Sequence, residues 1–202
     1  EDVAVLSIAT RPDCIGPEVL ELLKELNAIK PVMVELGLQT IHPETAAYIR
    51  RGYALHVYED ALARLKAAGL TVIVHVILGL PGEDRERMLQ TIDYLGGPHR
   101  PDGVKLQLLH VLEGTDLADD WRAGKFRCME PQEYYDLLCD CLERLPPDMV
   151  IHRLTGDGAK RDLLAPLWSG DKKRVLNAIQ TAFLQHDVEQ GSDLINREGV
   201  CL

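Results

Sequence analysis

Short apolar runs alternate along the chain with longer segments whose apolar residues recur at helical spacing. Residues 3–9, 32–38, 71–78, 103–111 and 149–154 read as strands, the third of them rich in β-branched side chains. Residues 17–27, 56–68, 84–95, 131–145 and 172–186 read as helices. In the clearest of these, Tyr134, Leu137, Leu138, Cys141, Leu142 and Leu145 form one stripe, and Pro146 and Pro147 end it. Gly69 is placed to stop the second helix through a positive φ, and Asp84 to cap the third. Strands of this kind, each followed by a helix, imply an α/β fold with a parallel sheet and right-handed crossovers. Periodicity leaves two solutions open, a doubly wound sheet and a whole or partial β/α barrel. In both, ligands meet the carboxyl ends of the strands.

The residues at those ends are therefore the candidates. Arg11 and Asp13 follow the first strand and either bind an anion or hydroxyl or form a loop ion pair. In the second strand Glu35 is a charge among apolar neighbours, which must be paired or must line a polar cavity. Glu35, Gly37 and Gln39 share one face by alternation; Gly37 leaves room for a ligand and Gln39 offers donors and an acceptor. The third strand runs into the tight turn Gly79-Leu80-Pro81-Gly82-Glu83, and its His75 reads as a core histidine. Lys105 and Gln107 alternate onto one face of the fourth strand, ahead of His110, and a Lys105–Glu35 ion pair competes with a substrate contact. Beyond lie His152, Arg153, the Gly156-Asp157-Gly158 stretch, Lys160 and Arg161, which could hold an anion. Lys172, Lys173 and Arg174 open the last helix against its dipole.

Composition narrows the classes. The 202 residues carry a formal net charge of -10 and a pI near 5.1, which disfavours broad non-specific binding to nucleic acid or anionic membrane. No apolar run reaches about eighteen residues, so no membrane span is expected. Five widely spaced cysteines do not make a disulfide framework and point to a reducing cytoplasm. Cys139 and Cys141 diverge by roughly 200° on a helix and are no metal pair.

Taken in order, ATRPD (9–13), VELGLQT (34–40), Arg50-Arg51-Gly52, HVILGLPGE (75–83), KLQLLHVLEGT (105–115) and the tail His152-Arg153…LLAPLW (163–168) resemble the radical S-adenosylmethionine (SAM) superfamily. The resemblance is closest to its YhcC-like subfamily, related to the Elongator catalytic subunit, and covers nearly the whole chain. It implies a partial parallel (β/α) TIM-type barrel lacking its amino-terminal strands. Residues 1–148 would be the carboxy-terminal part of that barrel and 149–202 a helical, subfamily-specific extension. It implies that Gln39 meets the SAM ribose, with Glu35 lining the same lumen and Arg51 on the methionyl carboxylate or ribose. The backbone of Leu78, Gly79 and Leu80 would lie beside the adenine, and Leu109, His110 and Val111 would complete its pocket. Arg11, Lys105, His152, Arg153, Lys160 and Arg161 are left for substrate or an anion.

The superfamily's 4Fe–4S cluster binds SAM and cleaves it to a 5′-deoxyadenosyl radical, but the cysteine triad that holds it is absent from this chain. None of Cys14, Cys128, Cys139, Cys141 and Cys201 replaces it by spacing. The chain alone is thus expected to be inactive, and residue 1 not to be the natural amino terminus; roughly 100 further residues upstream would restore the chemistry. The implied partners are SAM, an electron donor and RNA or another macromolecular substrate, with no membrane. Two other readings stand beside this one. The first is a cluster-free SAM-binding or interaction module of the same fold. The second is a metal-independent barrel enzyme using Glu35, Lys105 and His110 as acid and base.

Overall fold

The computed structural model describes residues 3–156, 158 and 160–194. Five parallel strands form one sheet in the order β1 (Leu6–Thr10), β2 (Val32–Gln39), β3 (Thr71–Leu78), β4 (Gly103–Leu108) and β6 (Val150–Arg153). Helices α1 (Pro17–Ile29), α3 (Leu55–Ala67), α4 (Arg85–Gly96) and α6 (Pro131–Arg144) connect them, with a short α2 (Pro43–Tyr48) before α3. A further helix, α7 (Lys172–Gln185), packs on α6.

The two phases of each strand do different work. Val32, Val34, Leu36 and Leu38 of β2, Val72, Val74, Val76 and Leu78 of β3, and Val104, Leu106 and Leu108 of β4 all point into one core. Leu23 of α1, Tyr58, Leu62 and Leu65 of α3, Ile92 and Leu95 of α4, Leu137 and Leu138 of α6, and Val175 and Ile179 of α7 fill it from the helical side. Each such aliphatic burial stabilises by roughly 1.5–3 kcal/mol before entropy is counted. The opposite phase carries Glu35, Gly37 and Gln39 of β2, His75 of β3 and Lys105 and Gln107 of β4, none of which joins this core. The helices thus cover one face only. That arrangement selects the partial barrel over the doubly wound sheet, and it leaves the polar phase as a concave lumen.

Loop chemistry sets the element ends. Gly69 (φ +73°) closes α3, as its position predicts, with N–H bonds from Gly69 to Lys66 O and from Leu70 to Leu65 O. Asp84 caps α4 by accepting from the Arg87 amide. Asp171 does the same for α7 from the Arg174 amide, which offsets the basic opening of that helix. Asp13 pairs with Arg11 instead of starting α1, whose N-cap is Gly16.

One expectation needs correction. The fourth strand does not continue to residue 111: it ends at Leu108, and β5 (Val111–Leu112) pairs antiparallel with β7 (Leu163–Ala165). This ribbon has its own small core of Val111, Ala118 and Ala165, closed by α5 (Asp116–Arg122). After residue 148, β6 extends the main sheet at the expected place, β7 builds the ribbon and α7 supplies the helical part. The described residues contain no helix long and apolar enough to cross a membrane. Asp157 and Cys201 lie outside the described residues.

Gly103 pairs with Val150 where β4 and β6 lie close together. A Cβ there would meet the His152 ring at 2.7 Å and the Val150 carbonyl at 2.9 Å. Gly103→Ala is expected to lose about 1–3 kcal/mol in urea denaturation, since the backbone atom cannot step aside. A loss within about 0.5 kcal/mol would show that β6 is not held this tightly.

Candidate functional site

Glu35 is the hub of the lumen. Its Oε1 accepts from Ser7 Oγ at 2.7 Å, and its Oε2 accepts from Lys105 Nζ at 2.5 Å and meets His75 Nε2 at 2.7 Å. Gln107 Nε2 donates to His75 Nδ1 at 2.9 Å. Four strands are thereby joined side chain to side chain, from Ser7 on β1 to Gln107 on β4. With Nδ1 accepting, a neutral imidazole carries its proton on Nε2 and donates it to Glu35. Burial favours that neutral form and lowers the His75 pKa, overcoming the Glu35 carboxylate that would raise it. Burial also pushes the Glu35 carboxyl up, but hydrogen bonds from Lys105, Ser7 and His75 outweigh it and hold the pKa at about 2. Glu35 is therefore a fixed anion at neutral pH, and Lys105 is its counter-ion.

At the carboxyl end of β2 the backbone departs from the ladder. Gly37 pairs with His75 and Gln39 with Val76, so one residue of β2 bulges out. Gln39 sits at φ +67°, and the Thr40 amide bonds back to Leu38 O at 2.8 Å, the pattern of a strained γ-turn. The Gln39 carboxamide lies over Gly37: a Cβ on Gly37 would be 2.8 Å from Gln39 Nε2. That carboxamide makes no hydrogen bond among the described residues. Tyr53 Oη donates to Gly37 O, and its ring has the Arg51 guanidinium carbon 4.9 Å and the Arg11 guanidinium carbon 5.3 Å from its centre. Arg11 is also held bidentately by Asp13 at 2.9 and 2.7 Å.

These groups line an open cavity of about 450 Å³, with Glu35, Gly37, Gln39, Tyr53 and His75 on its polar side. Ile77, Leu80, Leu109 and Leu117 form its apolar wall. A neighbouring cavity of about 400 Å³ shares His75, Ile77 and Leu109 and extends over Gln107 and Arg153. A larger cavity, about 530 Å³, lies on the other side of the 79–83 turn, against Phe126, Met129 and α6. It contains none of the Glu35 network, so volume is a poor guide to the chemistry.

The structure does not gather every candidate here. Leu78 points its side chain into the core, and its carbonyl accepts from the Leu109 amide at 2.9 Å. Gly79 (φ +86°) turns toward Met129, and of that trio only Leu80 reaches the lumen cavity. Val111 belongs to the ribbon core. His110 faces the tail: its Nδ1 accepts from the Gly158 amide at 3.2 Å and its Nε2 meets Ser169 Oγ at 3.0 Å. Arg51 does border the lumen cavity, but its guanidinium is buried on backbone carbonyls. His152 lies against Gly103, while Lys160 and Arg161 are exposed outside the lumen. Sequence reading missed Ser7, Tyr53 and the role of His75. The polar phase shared by Ser7 and Glu35 was the only available signal, since a histidine between valines gives no sign of a cross-strand partner.

The described residues do not fit an iron–sulfur cluster. No three of their His, Cys, Asp or Glu side chains gather as a metal site, and Cys139 and Cys141 are buried in α6. Comparison with known proteins gives a consistent picture. The radical SAM superfamily model matches residues 1–95, and the Radical_SAM C-terminal domain model matches residues 101–184. Uncharacterized protein YtqA of Bacillus subtilis is 40% identical over 191 residues, covering 95% of this chain and 59% of the relative. Protein YhcC of Escherichia coli is 34% identical over 194 residues, covering 96% and 62%. The tRNA uridine(34) acetyltransferase of Methanocaldococcus jannaschii is 31% identical over 155 residues, covering 75% and 28%. The solved structure of Methanocaldococcus infernus Elp3 superposes with a TM-score of 0.79 at 23% identity, covering 93% of this chain and 43% of that one, a likeness of fold.

The Glu35 network sets a pH dependence. A carboxyl that titrates at 4.5 when unperturbed and at about 2 in the fold stabilises above about pH 4.5. That stabilisation is lost as pH falls through about 2. In denaturation profiles, Glu35→Gln is expected to lose about 2 kcal/mol at pH 7 by stranding Lys105, and to be flatter than wild type between pH 4.5 and 2. Parallel acid profiles would show that Glu35 does not carry this dependence.

Proposed function

The chain belongs to the radical SAM superfamily, in its YhcC-like branch, and from that membership we propose that its polar sheet face is the SAM-binding side of a radical SAM active site. The observation that carries this reading is the Gln39 carboxamide, unpartnered among the described residues and laid over Gly37 in a cavity with one apolar wall. A nucleoside has the complementary character: a ribose edge rich in hydroxyls and a flat apolar base. In this reading Gln39 holds the ribose hydroxyls, while Leu80 and Leu109 pack against the adenine. Glu35, fixed as an anion by Lys105, Ser7 and His75, sets the field of the lumen. SAM bound at a reduced cluster supplies organic radical chemistry; the residues of this chain bind the nucleoside, orient it and line the substrate's approach.

The chain spans about 60% of the length of the YtqA and YhcC relatives, and the proposal assigns the cluster ligands to the remainder of a full-length protein. We propose RNA as the substrate class, supported by the similarity to a tRNA uridine acetyltransferase over 75% of this chain. Exposed cations at Lys160, Arg161, Lys173 and Arg174 are where its phosphates would dock.

Anaerobic reconstitution of the full-length protein and of this chain alone tests the reading. The full-length protein is expected to take up about four irons and, with dithionite, to release 5′-deoxyadenosine from SAM. This chain is expected to take up none. Gln39→Ala in the full-length protein should weaken binding of S-adenosylhomocysteine about tenfold or more while leaving iron content unchanged. A full-length protein without iron or 5′-deoxyadenosine would contradict the enzyme reading. It would leave a cluster-free binding module.

A further inference from the structure

We infer that Arg51 is a positioning residue, which acts on SAM only by holding the Gln39 backbone in the conformation that aims its carboxamide into the lumen. The inference rests on the reading of Gln39 as a ribose contact. It replaces the sequence expectation that Arg51 itself meets the methionyl carboxylate or ribose.

A positive φ at a residue with a long side chain is unfavourable and persists only where its surroundings fix it. The bulge takes Leu38 off the β2–β3 ladder, so nearby carbonyls need new donors. Arg51 Nη1 donates to Leu38 O at 3.0 Å and to Thr40 O at 2.6 Å, the two carbonyls that flank Gln39. Its Nε and Nη2 donate to Tyr53 O at 3.1 and 3.0 Å. These contacts occupy a planar donor set whose fork spans three separate acceptors, a task the single ammonium of a lysine cannot copy.

Arg51 is only 7% exposed and has no carboxylate partner among the described residues. A buried guanidinium normally requires one. Here carbonyl dipoles and the Tyr53 ring face supply the compensation. Tyr53 closes the arrangement by donating from its own hydroxyl to Gly37 O, one residue before the bulge. The guanidinium thus spends its hydrogen bonds on the backbone of the strand end, while Arg51 still borders the lumen cavity. What it fixes is the direction of Gln39.

The test is calorimetry on the full-length protein with adenosine, 2′,3′-dideoxyadenosine and S-adenosylhomocysteine. Wild type should prefer adenosine to the dideoxy nucleoside by about tenfold or more, since the comparison removes both ribose hydroxyls. Gln39→Ala should bring that ratio near one. Arg51→Lys should do the same, with affinity for the dideoxy nucleoside within about twofold of wild type. A general loss of structure would instead weaken both nucleosides together. Should Arg51→Lys fail to fold, Arg51→Gln, whose two donors cannot span the three carbonyls, is expected to bring the ratio near one as well. As a second measurement, Gln39→Gly relieves the strained φ, so Arg51→Lys should lower the melting temperature less in that background than in wild type.

Retention of the full hydroxyl preference in Arg51→Lys would overturn the inference. So would loss of only the advantage of S-adenosylhomocysteine over adenosine, which would make Arg51 a carboxylate contact. An unchanged ratio in Gln39→Ala would overturn the ribose reading and this inference together.

Discussion

A carboxylate in the middle of an aliphatic strand cannot stay charged and unpartnered, and the lumen is arranged around that requirement at Glu35. Lys105 neutralises it from two strands away, Ser7 takes its other oxygen, and His75 completes the shell while being held in turn by Gln107. Each partner comes from a different strand, so the network is satisfied only when β1, β2, β3 and β4 keep their registers. A one-residue slip would put Glu35 into the apolar core and strand Lys105. The aliphatic phase supplies the stability of the sheet. The polar phase makes one register the only acceptable one.

The strand ends are tied in the same manner. Thr40 Oγ1 donates to Glu83 Oε1 at 2.5 Å, and His42 Nε2 meets Arg87 O at 2.8 Å, so the β2 loop is fastened to the 79–83 turn and to α4. Glu83, the last residue of that turn, is therefore a brace between two loops; burial raises its pKa against the hydrogen bond from Thr40. Between these ties the Gln39 backbone stands in a conformation it would not choose alone. Rigid surroundings hold a strained residue at the mouth of a half-polar cavity, an arrangement suited to binding a ligand without reorganising for it.

Much of this was legible in the sequence, for reasons that also mark its limits. The helices and main strands follow from periodicity, and Glu35 and Lys105 announce themselves as charges in phase with the polar side of apolar strands. Periodicity says nothing about which face a helix covers, so the choice between open sheet and barrel needed the structure. The run from Lys105 to Leu112 looks like one strand. The break at Leu109 comes from β7, some fifty residues later, which takes Val111 and Leu112 as its own partners. Gln39 was singled out by strand alternation and given its ribose role by family resemblance, but its φ and the Arg51 hydrogen bonds depend on a bulge with no sequence signal. Arg51 and His110 were both expected at the ligand. Each borders a cavity but also has a backbone partner, Arg51 in carbonyls and His110 in the Gly158 amide.

The central claim is that the Glu35 face, and not the larger cavity beyond the 79–83 turn, receives the nucleoside. A crystal structure of the full-length protein with S-adenosylhomocysteine decides it most directly. The account predicts ribose hydroxyls on the Gln39 carboxamide and the adenine against Leu80 and Leu109. Density for the nucleoside between Phe126, Met129 and α6, with Gln39 unoccupied, would contradict it.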